Sequence, residues 1–383
     1  MSLRTRVSPV GVKIEAVEGT PEVLTDADAM PGVNQPAYTM DVTSAERDAA
    51  RDTFTPLPPI VTSVLAGVDF RMEAGGSGDL TIPPLWAIPL AACGFQEHAL
   101  GKATIGAVTG GPFKSGERIT TPGGFSGMTL LSVADGTTEM LFLTLSGALS
   151  DADVITGTIS GATATVSGAP ATDQGFAYRP LTNAIPSVTV GRYLDGKLKS
   201  ISGARGNVAL EMVGGQLGYL AFSFQGQYQT WTDETPISVT TNPPTPPVFR
   251  GVQMLADGVE PPCFLTFNVD MANEIAAREC AKLESLIAGV NINGRTPTGS
   301  IDPESVLPSE YNPAEVMVNG TQVPFQAQWG DTPGNTIVVS GPTAVISDLA
   351  EGDRNGNAIS QRTLAFAGAG LASGDDEIII AVI

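Results

Sequence analysis

Positive charge, histidine, cysteine and long apolar runs are all scarce in this sequence. Lys and Arg number 20 against 40 Asp and Glu, a formal net charge of −20 over 383 residues. That balance argues against a basic nucleic-acid-binding surface. Its bland reading is solubility; its sharper one is a surface that repels an anion such as duplex DNA. The acid excess is heavier in residues 233–383. Three cysteines (Cys93, Cys263, Cys280) are too few and too odd in number for a disulfide framework, so folding in the cytoplasm is expected. They show no C-x-x-C spacing, which argues against a zinc site. No apolar core follows residues 1–8, so no secretory signal is expected. No apolar run approaches the ~20 residues of a membrane span, and no membrane partner is expected.

Chemistry-bearing constellations are equally thin. The single histidine, His98, lacks a placed Cys or Asp partner and reads as a surface residue before a base or ligand. Asp353-Arg-Asn355-Gly-Asn357 begins like a calcium loop. It has Ala358 where that loop needs glycine and Leu364 where it needs a carboxylate, and so reads as an acidic hairpin turn. Asn319-Gly-Thr321 fits a glycosylation acceptor but carries no weight without a secretory signal. Gly75-Gly76-Ser77-Gly78 lacks the lysine of a phosphate loop and reads as a flexible turn. No catalytic, cofactor-binding or metal site emerges, and the chain reads as a non-enzyme.

What is present is glycine (44), proline (29) and many short apolar runs separated by turn signals. Asp135-Gly136, Asp195-Gly196, Asp257-Gly258, Asn293-Gly294, Asn319-Gly320 and Asn355-Gly356 supply the positive φ angles of tight hairpins. The profile is mainly β. Around residues 68–73, Val68, Phe70 and Met72 alternate with Asp69, Arg71 and Glu73, so one strand face is buried and the other polar. Helix candidates lie at 84–94, where Trp86, Leu90 and Cys93 share a side, Gly94 is a stop and Pro89 is a flaw, and at 312–320.

Two stretches read as copies of one element: strand, charged Ala-Ala-Arg loop, strand, then short helix. In the first, Glu46, Arg47, Asp48, Ala49, Ala50 and Arg51 precede Asp69, Arg71 and Glu73. In the second, Glu274, Ala276, Ala277, Arg278, Glu279 and Lys282 precede Asp302 and Glu304. Ser202-Gly203 matches Ser340-Gly341, and 221–226 matches 363–368. The economical account is a duplicated β-sandwich domain. The first copy is 1–100 with 176–234, a small all-β insert is 101–175, a Thr- and Pro-rich semi-rigid linker is 235–247, and the second copy is 248–383. The insert has its own strand-turn-strand repeat, at 111–129 and 147–163.

The order of these segments resembles the tail tube (major tail) proteins of long, non-contractile-tailed bacteriophages. The resemblance rests on Val12-Lys-Ile-Glu-Ala-Val-Glu-Gly19-Thr20, Pro84-Leu-Trp86 with Ala92-Cys93-Gly94-Phe95, and Tyr193-Leu-Asp195-Gly196 through Ser202-Gly203-Ala-Arg205-Gly206. Phe222-Ser-Phe224-Gln-Gly226 and Arg295-Thr-Pro-Thr-Gly299 complete it. It spans most of the chain except 101–175. It implies β-sandwich domains, each with a flanking helix and a long hairpin, that assemble into stacked rings whose strands close one barrel. An acidic lumen would pass duplex DNA without specific binding. The implied partners are further copies of the chain, a tape measure protein, and tail tip and terminator proteins. The implied place is the virion tail, after assembly in the host cytoplasm. Two copies per chain imply trimeric rings with pseudo-sixfold symmetry. Glu46, Arg47, Asp48, Arg51, Glu274, Arg278, Glu279 and Lys282 would then lie between rings, and Asp69, Arg71, Glu73, Asp302 and Glu304 would face the lumen. Two other readings stay open at this point. One is a virion surface receptor- or carbohydrate-binding protein that uses the insert, which offers only Phe113, Phe125 and Phe142 as aromatics. The other is a hydrolase, disfavoured by the missing acid–base pair.

Overall fold

The computed structural model describes residues 3–240, 244–256, 261–368 and 374–383. The Asp257-Gly258 turn and part of the 235–247 linker fall outside them. The described residues are mainly β, with two short α-helices among them, Ala87–Ala92 and Pro313–Val318.

Eight strands form one continuous antiparallel ladder. Their spatial order is Gly32–Ala45, Ile60–Glu73, Tyr219–Tyr228, Lys197–Val213, Thr266–Asp270, Thr298–Ile301, Asn357–Ala367 and Ile337–Arg354. Period-two alternation makes these segments strands, and it gives the ladder one dry face and one wet face. Val68, Phe70 and Met72, then Leu220, Phe222 and Phe224, and then Phe267 and Val269 point into the core. Each such side chain contributes roughly 1.5–3 kcal/mol on burial. Phe70 stacks on Phe222 and Phe224 with centroids 5.4 and 6.0 Å apart.

A second layer closes over the dry face. The leading parts of Lys197–Val213 and Ile337–Arg354 leave the ladder to pair with Val188–Leu194 and Val323–Trp329. A bulge between Ser202 and Arg205, with Gly203 at φ +57°, marks the first of these departures. Val10–Ile14 extends this layer beside Val188–Leu194. Trp86 lies 5.0 Å from Tyr178 and donates its Nε1–H to Gly75 O (2.8 Å).

The helices follow their sequence signals. Ala87–Ala92 buries Leu90 and Pro89 and stops at Gly94, φ +82°. Asn312 caps Pro313–Val318 by accepting from Glu315 N at 3.3 Å. Among the turn signals, Asp195-Gly196 and Asn355-Gly356 close two-residue hairpins, with φ of 46° and 97°, and 56° and 87°. Asn319-Gly320 ends the second helix instead. Asn293-Gly294 is no turn: it lies inside strand Ile287–Arg295, at a register shift opposite Glu274.

The insert has its own core of Phe113, Ile119, Phe125, Met140, Phe142 and Ile155. Its expected border at 101 falls within one strand, Phe95–Thr104, whose first part pairs with Phe176–Pro180 and whose last part pairs with Glu139–Ser146. It is also seated on the C-terminal part of the chain. Met128, Leu130 and Leu143 meet Val338, Ile379 and Ala381, and Gln326 Oε1 accepts from Ser115 Oγ (3.0 Å) and Ser132 N (2.9 Å). The described part of the linker is docked as well: Asn335 donates to Thr245 O (2.9 Å) and accepts from Gly76 N (2.8 Å).

Candidate functional site

The wet face of the ladder is open, polar and built from short side chains. Asp69, Arg71 and Glu73 stand on it beside Asn207, Ala209 and Glu211, Ala221 and Ser223, and Asn268 and Asp270. Ser223 Oγ donates to Asp69 (2.7 Å), Asn207 Nδ2 to Asp270 (2.7 Å), and Arg71 pairs with Glu211 at 3.1 Å. Asp69, Glu73, Glu211 and Asp270 leave this face acidic after Arg71 is counted. A shallow groove of about 450 Å³ crosses it between Val33, Asp69 and Asn207. No nucleophile–base pair lies on it, and the described residues contain no cluster of three metal-capable side chains.

Asp302 and Glu304 sit at the margin of this face and are already engaged. Asp302 accepts from Leu265 N (2.8 Å) and Thr266 N (2.6 Å), and Arg354 bridges Asp302 (3.3 Å) and Glu304 (3.2 Å). They fix the end of the 337–367 hairpin to its neighbours.

Both ends of the ladder are unpaired strand edges among the described residues. Gly32–Ala45 has a strand partner only in Ile60–Glu73. Residues 347–354 have one only in Asn357–Ala367. By contrast, residues 209–213 are paired on both sides, by Tyr219–Tyr228 and by Thr266–Asp270. Unpaired edges present rows of free N–H and C=O groups that bind another strand. Asp41 marks one edge, and Asp348, Glu351 and Asp353 mark the other.

The two charged hairpins differ. Glu46, Arg47, Asp48 and Arg51 lie in an exposed loop, 46–59. Arg51 donates to Thr55 O of the same loop (3.1 Å), and the loop curls round about 690 Å³ lined by its own residues and those at its base. In the second hairpin, Ala276-Ala277-Arg278 is strand and not loop, within Asn273–Glu279 paired to Ile287–Arg295. The cause is apolar burial: a register shift between Ala277 and Glu279 lets both Ile287 and Val290 be buried where strand Ile287–Arg295 packs on the first half of the chain, which holds the hairpin in register. Asn273 Nδ2 donates to Cys93 O (2.9 Å) and Gly206 O (3.0 Å). Arg278 and Arg205 both reach Glu18, at 3.3 and 3.2 Å. Arg278 is therefore committed within its own chain, while Glu274, Glu279 and Lys282 are exposed.

Sequence pattern gave no sign of three polar anchors, two buried and one partly buried. Glu15 accepts from Ser187 Oγ (2.7 Å), Thr189 Oγ1 (3.0 Å), Gly203 N (2.7 Å) and Gly19 N (2.8 Å). Glu117 gathers Lys114 N, Ile159 N, Ser160 N and Ser160 Oγ inside the insert. Arg295 grips Asp375, Glu377 and Leu181 O. Burial works against charge on Asp375, yet hydrogen bonds from Thr182 and Arg295 outweigh it and hold the carboxyl below its ordinary range. His98 is half-buried. Burial first, and Arg179 second, push its pKa down to about 4, and its Nε2 has no hydrogen-bond partner. No family model matches this chain, and no curated protein sequence matches it.

Proposed function

We propose that the chain is a structural subunit that assembles with copies of itself into stacked rings, the tail tube of a long, non-contractile-tailed bacteriophage. One observation carries the reading: a single antiparallel ladder, open at both edges, is joined in its middle by a contact of the kind those edges need.

The ladder divides into two quartets with the same pairing order. Gly32–Ala45, Ile60–Glu73, Tyr219–Tyr228 and Lys197–Val213 form one; Thr266–Asp270, Thr298–Ile301, Asn357–Ala367 and Ile337–Arg354 form the other. Phe222 and Phe224 pair with Val208 and Gly206, as Leu364 and Phe366 pair with Ile346 and Ala344. Each quartet has its short helix and its long hairpin. The shared pairing order supports reading the chain as a duplicated domain. The joint between quartets pairs the last strand of one with the first strand of the next, Ala209 opposite Asp270 and Met212 opposite Phe267. The free last strand, 347–354, and the free first strand, Gly32–Ala45, are the same two partners left open. Pairing them between chains repeats the joint and closes a ring with no edges.

Three chains with two quartets each give a ring with pseudo-sixfold symmetry. The acidic wet face would line its lumen, where duplex DNA passes without sticking. No step of this role needs a cofactor. The tape measure protein would fill the lumen before DNA does, and the tail tip and terminator proteins would cap the stack. Electron microscopy of the purified protein at rising concentration tests the reading. Rings and tubes are expected; monomers at every concentration would refute it.

A further inference from the structure

In the duplicated-domain reading the two hairpins are equivalent, and among the described residues only the first helix end is covered by one. Hairpin 273–295 lies across the end of the first helix of its own chain. Asn273 Nδ2 holds Cys93 O and Ile292 reaches Gly94, while Ala92 of the same helix is buried in the main core. The second helix ends in the same way, Val318-Asn319-Gly320 against Ala92-Cys93-Gly94, with both glycines at positive φ. Among the described residues nothing covers its end. Pro313–Val318 has no buried residue, and Val318, in the place of Ala92, is 80% exposed.

The matching donor is also bare. Beyond Val68, hairpin 38–65 carries its dry side past the end of the core. Met40, Val42 and Val61 lie on that side, opposite Ala66, Val64 and Ser44, and are 41%, 47% and 60% exposed. The other side of the hairpin presents Thr39, Asp41, Thr43 and Ser63. An apolar stripe on a projecting hairpin and an apolar helix end with no cover are complementary halves of one contact.

We infer that hairpin 38–65 of one copy docks across the helix end 313–320 of the next copy in the same ring. Met40, Val42 and Val61 cover the helix end at Val318 as hairpin 273–295 covers the Cys93–Gly94 end of the first helix. The occupant is a second copy of this chain, because the chain's own second hairpin sits on the equivalent helix end. The inference rests on the ring assembly proposed above. It moves the base of the first hairpin from the space between rings to the seam within a ring, and leaves loop 46–59 for the contact between rings.

The test starts from a Cys263→Ser, Cys280→Ser background, since Cys93 is buried. Val318→Cys, Val42→Cys and, in the insert, Val154→Cys are each labelled with a maleimide in monomers and in isolated rings. Assembly should slow labelling at Val318→Cys and Val42→Cys by about tenfold or more and leave Val154→Cys unchanged. In the Val42→Cys, Val318→Cys double variant, a short bis-maleimide should join separate chains within isolated rings. Rings in which both cysteines label at the monomer rate would overturn the inference while leaving ring assembly intact. So would cross-links that form in tubes but not in isolated rings. Protein that never forms rings would overturn the assembly reading and the inference together. If the double variant fails to assemble, the single variants still decide by labelling rate.

Discussion

A carboxylate shielded from water must be given donors by the fold, and Glu15 is given four. Glu15→Ala strands two hydroxyls and two N–H groups and should cost about 3 kcal/mol in urea unfolding. Glu15→Gln keeps two acceptor lone pairs and should cost less. His98 sets a pH dependence. Its unfolded pKa is about 6.5, and its folded value is pushed down to about 4. The unfolded chain therefore binds more protons across that window, so stability falls as pH drops from about 6.5 toward 4 and levels off below. The effect, screened by partial exposure, is on the order of 1–2 kcal/mol. His98→Asn should flatten that part of the stability–pH curve relative to the unaltered chain. Neither role was legible from sequence. His98 reads as a surface residue because its burial comes from Phe176–Pro180, a strand about 80 residues away. Gly94 and the Asp195-Gly196 turn were legible, because positive φ is a local demand that the residue type itself answers.

At the scale of elements, period-two alternation located most strands, and its failures are instructive. The Ala-Ala-Arg of the second hairpin reads as loop by analogy with the first, yet Ile287 and Val290 on the paired strand give it a buried side and make it strand. Asn293-Gly294 was overruled by the same pairing. Asn355-Gly356 was not, because both residues hold positive φ between Arg354 and Asn357. Changing both to alanine should cost about 2–4 kcal/mol and loosen the edge strand 347–354, measured by unfolding and by hydrogen exchange. Among the described residues, loop 46–59 shows hydrogen bonds only within itself, so replacing 48–57 with Asn-Gly should leave monomer unfolding unchanged. Under the assembly account, the shortened protein should form rings that do not stack, read by electron microscopy.

For the whole molecule, the mainly-β class was legible, while the joint between Lys197–Val213 and Thr266–Asp270 was not, since nothing in either strand names its partner. Phe113, Phe125 and Phe142, the aromatics singled out in 101–175, do share one core cluster. The seat of this segment on Val338 and Ile379 was not legible, because those contacts cross some 200 residues. Net charge of −20 is the global property that suits a conduit for an anion. Assembled protein should retain no duplex DNA in a gel shift even at low salt.

The central claim is that one chain supplies two quartets to a closed ring. Its most direct test is the native mass of isolated rings. Three chains of 39.5 kDa give about 118 kDa, the value this account predicts. A ring of six chains, at about 237 kDa, would mean each chain occupies one position of the sixfold and would contradict it.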